Sequence, residues 1–216
     1  MATESKLFDP EGPLMTGFDT VKDLITLNLL TIICSIPVVT IGASFTAMHY
    51  TALKMVRNEE GYIHKTFFKS FKENLKQGIG ATFIMAFAFG FIGLDFWATQ
   101  WFQEDPGFVK AAIVLLILMA AVTITTVTFF FPVQAKLSAT LKQNISNAFK
   151  MALSHFPMTL LMILFNLLPF IICYFVHFLI PLLFIFGFSL PAFWDAKLYD
   201  KVFRKIEEAA NEGKDI

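Results

Sequence analysis

LITLNLLTIICSIPVVTIGASFTAMHYTAL, residues Leu24–Leu53, decides the fold class, because thirty consecutive residues pass without one Asp, Glu, Lys or Arg. A helix needs about 20 mainly apolar residues to cross the roughly 30 Å of hydrocarbon in a bilayer. The stretch is long enough to cross once, and Pro37 and Gly42 interrupt it. Working outward, three more uncharged runs follow: Gln77–Leu94, Ala111–Ala135 and Met151–Trp194. The last holds 44 residues, about 66 Å at 1.5 Å per residue. That is too long for one crossing and suits two, joined by a tight turn near Tyr174–Pro181. Inside a membrane, backbone amides have no water to bond, so the spans must be helices.

The composition of the whole chain agrees. Of 216 residues, 56% are hydrophobic, 16% are charged and 27 are phenylalanine; mean hydropathy is +0.64. A soluble domain carries roughly 25% charged residues, and one of this size could not bury so much apolar surface. Disordered and disulfide-stapled classes are excluded on the same figures. The expectation is all-α: a polytopic transmembrane bundle of about five spans forming a single membrane domain over 1–216. The spans are placed at 24–50, 78–101, 110–131, 157–176 and 179–194, between an N-terminal segment 1–23 and a cytoplasmic tail 195–216. Residues 1–23 carry two lysines against five acids, unlike the basic start of a cleavable signal, so the first span is read as a permanent anchor. The alternative is six helices, with Phe18–Ile36 and Ala43–Arg57 forming a hairpin that returns the N-terminus to the cytoplasm.

Basic residues orient the bundle. Segments 54–76, 136–150 and 195–216 hold fourteen Lys and Arg, and 1–23 with 104–110 hold three. With five spans the first group is cytoplasmic, the C-terminus lies inside and the N-terminus outside. Trp97 and Trp101 are expected at one interface and Trp194 at the other.

Two connectors read as amphipathic cytoplasmic helices. Over Gly61–Gln77, Lys65, Lys69, Lys72 and Lys76 fall within about 60° of one another on a helical wheel, opposite Ile63, Phe67, Phe71 and Leu75. Such a helix can lie in the headgroup region or dock a cytoplasmic partner, which makes these lysines with Phe67 and Phe71 the candidate interface residues. Leu137, Leu141, Ile145, Phe149 and Leu153 repeat the design in the second connector.

Candidate intramembrane polar residues are few. Asp95 is the one carboxylate inside a predicted span, and it lies about 26 Å along the helix from Gly78, toward the outer interface. His49 sits near the inner end of the first span. Asn28, like Asn166, reads as an interhelical hydrogen-bonding group. Cys34 and Cys173 read as buried small hydrophobes. No phosphate loop, HExxH, GxSxG or CxxC occurs, and the connectors are too short to fold alone. The expectation is therefore no catalysis, no cofactor, no metal and no nucleic acid, with the lipid bilayer as the first partner.

Residues Asn28–Ser44, Leu53-Lys54-Met-Val-Arg57, Glu59-Glu-Gly-Tyr62 and Phe67-Phe-Lys-Ser-Phe-Lys-Glu-Asn74 resemble the YesL family of bacterial integral membrane proteins. The likeness is strongest over 24–78 and extends more loosely through 148–153, Pro157 and the last hairpin. It implies a multi-pass protein of the bacterial plasma membrane, associated with carbohydrate uptake by binding-cassette transporters, whose permease subunits become the expected partners. It implies no catalytic residue. The function expected on this footing is a non-enzymatic accessory component. The numerous Pro and Gly breaks keep a second reading open, a small transporter or channel acting alone as a homo-oligomer.

Overall fold

In the computed structural model, residues 13–99, 101, 106–137 and 139–212 are described, and among them every regular element is helical. The α-helices are α1 (Pro13–Ser35), α2 (Ile41–Val56), α3 (Ile63–Thr99), α4 (Pro106–Lys136), α5 (Leu141–Ser154), α6 (Phe156–Phe175), α7 (Ile180–Phe186) and α8 (Ser189–Glu212). Short 3-10 turns precede α2 and α7. Three helices (α3, α4 and α6) are long and apolar enough to cross a membrane, or four crossings if the bent pair α7–α8 counts as one. The expected count of about five is thus not reached.

The decisive stretch is two helices rather than one span over 24–50. Pro37 supplies no N–H and fixes its own φ, and the chain turns there. Thr40 Oγ1 donates to the Cys34 and Pro37 carbonyls at 2.6 and 2.7 Å, answering acceptors that the break frees. Asp19 and Asp23 near the start of α1 line one pocket with Met55, Val56 and Asn58 beyond the end of α2. The two helices are therefore antiparallel, and the hairpin alternative is the one the structure adopts. The start of α1 lies at the same end as the basic connector, not opposite it. Residues 1–12 of the N-terminal segment fall outside the described part.

Helix α2 is the centre. Its 16 residues span about 24 Å, less than the hydrocarbon thickness, and α1, α3, α4 and α8 surround it. Its sequence is rich in small residues because neighbours approach closely. Gly42 and Gly78 sit where α2 crosses α3, and a Cβ on either would collide with the other helix's backbone. Small residues at such crossings let membrane helices meet. The turn after α2 is a Schellman cap: Asn58 adopts φ 54°, Asn58 N donates to Met55 O, and Glu59 N donates to Lys54 O.

The amphipathic segment 61–77 is not a separate helix. It continues without a break into the span that follows, so α3 runs 37 residues, about 56 Å. Its inner half buries Ile63, Phe67, Ser70, Gly78 and Ala81 and packs on α2. Its outer half exposes Phe83, Phe87, Phe91 and Leu94 to lipid. Most of the segment expected as a cytoplasmic tail is helix: α8 runs from Ser189 to Glu212 and packs on α2 and α6, and residues 213–216 fall outside the described part. Helix α5 begins with a capping box, Thr140 with Gln143. It buries Asn144, Ala148 and Ala152, while Phe149 and Leu153 of the expected apolar row stay exposed. Small residues win the protein face because α5 lies close on α4.

Candidate functional site

Two features carry polar chemistry: a basic ridge on α3 and a buried polar seam along α8. On the ridge, Lys65, Lys69, Lys72 and Lys76 are all exposed. The opposite face is held by Phe67, fully buried, which stacks on the half-buried Phe71 with ring centroids 6.1 Å apart. The apolar stripe that a lipid-lying helix would give to acyl chains is here consumed by α2. The lysines stand on a strut fixed to the bundle.

The same end carries an ion-pair network. Arg57 Nε donates to Asp200 at 2.6 Å, Arg204 Nε donates to the other Asp200 oxygen at 2.7 Å, and Arg57 also reaches Glu207 at 3.3 Å. Lys136 pairs with Glu207. The network ties the end of α2, the end of α4 and α8 together. In the turn, Lys54 pairs with Glu59 at 2.7 Å, and the hydrogen bond it donates holds the Glu59 carboxyl below its usual range.

The seam begins where α7 bends into α8 by 57°. A helix break frees backbone groups that lipid cannot satisfy. Asn28 answers them from α1. Its amide nitrogen donates to Leu183 O and Phe184 O at 3.3 and 2.8 Å, and its oxygen accepts from Phe188 N and Ser189 N at 2.9 and 3.0 Å. One buried side chain thus caps the end of one helix and the start of the next. Further along α8, Asp195 is fully buried and accepts from Asn166 Nδ2 at 2.6 Å, while its Oδ1 has no hydrogen-bond partner among the described residues. Tyr199 donates to the His49 carbonyl at 3.1 Å, and the His49 ring stacks on Phe131. His49 is therefore walled in by aromatics, not poised near water.

Sequence reading missed Asp195 because the charge-free run ends at Trp194. Trp194 packs on Phe165 and Asp195 on Asn166, both halfway along α6. Trp194 is thus level with the middle of α6 rather than with either of its ends. The only sequence signal was Asn166, a polar residue that needs a partner in lipid. Asp95 is half-buried in the last turns of α3, next to the exposed Phe96 and two residues from the exposed Trp97, and does not join the seam. Among the described residues no three His, Cys, Asp or Glu side chains gather in a cation-binding group.

Broken helices, a central helix held by its neighbours and intramembrane polar pairs define a polytopic helical membrane protein. Residues 24–96 match the family described as "Protein of unknown function, DUF624", a segment that includes the YesL-like stretch. The matched region holds the second half of α1, all of α2 and most of α3, with Asn28, His49, the Schellman turn and the lysine ridge. No curated protein and no solved structure matches the chain.

Proposed function

We propose that this protein is a non-enzymatic accessory subunit of the bacterial plasma membrane that docks a partner through the α3 ridge. The observation that carries the reading is the full burial of Phe67 beneath four exposed lysines. A helix whose apolar face is already covered has no need of headgroups, and its rigid cationic row suits an acidic protein surface. The family resemblance supplies the partner class: permease subunits of a binding-cassette transporter for carbohydrate. The basic end then faces the cytoplasm, and with α1 and α2 antiparallel both termini lie inside.

Purification in mild detergent from the native membrane tests this. Transporter subunits should co-purify with the wild type and be lost from the K65Q/K69Q/K72Q/K76Q variant, which keeps its melting temperature because exposed lysines contribute little to stability. Absence of any transporter subunit, with oligosaccharide uptake unchanged on deletion, refutes the reading.

A second reading, an autonomous transporter acting as a homo-oligomer, is favoured by Asp195. A buried carboxylate level with the middle of a membrane helix, beside a broken helix, is the kind of group transporters use. It requires solute flux in liposomes containing this chain alone, abolished by Asp195→Asn.

A further inference from the structure

The two basic connectors treat their apolar rows in opposite ways. Over Leu141–Ser154, α5 turns Asn144, Ala148 and Ala152 to the protein. Its apolar row lies one residue further on, about 100° round the helix. Ile145 in that row is half-buried, while Phe149 and Leu153 are 37% and 55% exposed. On α3 the apolar stripe is covered by α2; on α5 it is open.

The contacts of α5 fix where that open row stands. A Cβ on Gly80 of α3 would meet the Leu141 side chain, and Asn144 Nδ2 donates to Gln77 Oε1 at 3.4 Å. The helix therefore starts where α3 changes from exposed lysines, the last being Lys76, to exposed phenylalanines, the first being Phe83. That change marks the boundary between water and lipid. Ile145 lines an apolar groove with Ala81 and Met85 of α3 and Val122 and Thr126 of α4. At its other end α5 passes through His155 into α6, a helix long and apolar enough to cross the membrane, which exposes Phe156, Leu160 and Leu161. Both ends of α5 are thus tied to lipid-facing helices, and the row leads in the chain straight onto the surface of α6.

Charge selects among lipids. Lys142 falls within about 20° of Phe149 and Leu153 on a helical wheel, and Lys150 directly follows Phe149. Both lysines are exposed, and neither pairs with an acid among the described residues. No Asp or Glu occurs from 106 to 194. Glu73 of α3 shares a recess with Thr140 and Gln143, and Gln143 lies about 120° round the helix from Phe149. The sector around the row is therefore cationic and free of acids. Such a helix binds a bilayer surface through its apolar face and through attraction to anionic headgroups. The lysine stems lie along apolar surface while their ammonium groups reach the phosphates.

We propose that α5 is an anionic-lipid-binding element: Phe149 and Leu153 enter the acyl region of the leaflet at the basic end, and Lys142 and Lys150 hold the phosphates of negatively charged phospholipids. The inference is independent of the docking role given to the α3 ridge.

The test is native mass spectrometry of the full chain in a non-ionic detergent, titrated separately with phosphatidylglycerol and with phosphatidylcholine, whose headgroup has no net charge. Phosphatidylglycerol should bind the more tightly. K142Q/K150Q should weaken it at least about tenfold, since each basic residue close to an anionic surface contributes roughly fivefold, and should leave phosphatidylcholine unchanged. K142R/K150R should bind as wild type does. F149S/L153S should weaken both lipids. The ridge variant K65Q/K69Q/K72Q/K76Q should keep the difference between the two lipids, so loss of a docked partner and loss of lipid selectivity are read separately. Equal affinity of the wild type for both lipids overturns the proposal. So does undiminished phosphatidylglycerol binding by K142Q/K150Q, or undiminished binding of both lipids by F149S/L153S. A fall in the mass of the purified assembly on F149S/L153S would make the row a contact between copies and is equally fatal. Selectivity lost in the ridge variant alone would assign it to α3 and sink the role of α5.

Discussion

The two halves of α3 are one unbroken helix with opposite surroundings. From Ile63 to Ala81 the helix buries an i, i+4 stripe against α2; from Phe83 to Leu94 it exposes large apolar side chains on nearly every face. In water the second half would be a defect or an interface. In lipid it is at rest, because acyl chains are as apolar as phenylalanine and supply no drive for further packing. Exposure thus means different things a few turns apart. The inner half is held by shape, the outer half by solvent.

The comparison can be broken most strongly at glycine. A leucine at position 78 would drive its side chain into the backbone of α2 at Ala43, whereas Gly90 has open space where a side chain would go. Gly78→Leu should abolish the folded protein in detergent, a loss of about 3 kcal/mol or more, read as missing monodisperse material on size exclusion. Gly90→Leu should elute and melt as wild type.

Phenylalanine makes the same contrast with a smaller step. Phe67 is 0% exposed and Phe87 is 75% exposed. Phe67→Ala leaves a cavity under the lysine ridge and should cost about 3–5 kcal/mol. Phe87→Ala trades one lipid contact for another and should shift thermal unfolding little. Equal losses at both sites would mean that the outer half is covered by something, such as a second copy of the chain.

Asn28 extends the comparison to the other broken helix. Asn28→Leu would strand the carbonyl of Phe184 and the amides of Phe188 and Ser189 in an apolar setting, at about 1–3 kcal/mol per group left unpaired, while Leu183 O keeps the bond that Gly187 N donates. Thermal unfolding should show the loss, and Asn28→Asp should recover only part of it, because a carboxylate can accept from the two N–H groups but cannot donate to the carbonyls.

The smallest effect lies in the water-facing turn. Because Lys54 depresses the Glu59 carboxyl, the pair's contribution is present at neutral pH. It fades as pH falls below the ordinary glutamate value of about 4.3 and through the lowered one. Melting curves of wild type and Glu59→Gln should differ slightly at neutral pH and converge in acid.

Much of this was legible in the residues. Charge-free runs located the apolar helices of α3, α4 and α6, since a charge in hydrocarbon is costly wherever it falls. The lysine periodicity placed four side chains on one face correctly. The errors came where protein, not lipid, is the neighbour. Hydropathy gave Leu24–Leu53 one span because it averages over Pro37 and cannot see that Thr40 caps the broken end. It ended the last span at Trp194 because Asp195 is charged, although Asn166 makes that carboxylate tolerable. It put Phe149 and Leu153 on the apolar row of an amphipathic helix but could not see that the face of α5 packed against protein carries Asn144, Ala148 and Ala152, which allow a closer approach.

What the sequence determined by itself is the solvent: apolar runs and segregated charge require a bilayer and a basic end, because transfer of charge into lipid depends on composition alone. Only the tertiary structure decided that α2 is the centre, that Asn28 joins α7 to α8, and that Asp195 meets Asn166 halfway along α6. Those facts depend on which residues meet across long separations in the chain, and hydrogen bonds and close contacts are satisfied by geometry that no local pattern encodes.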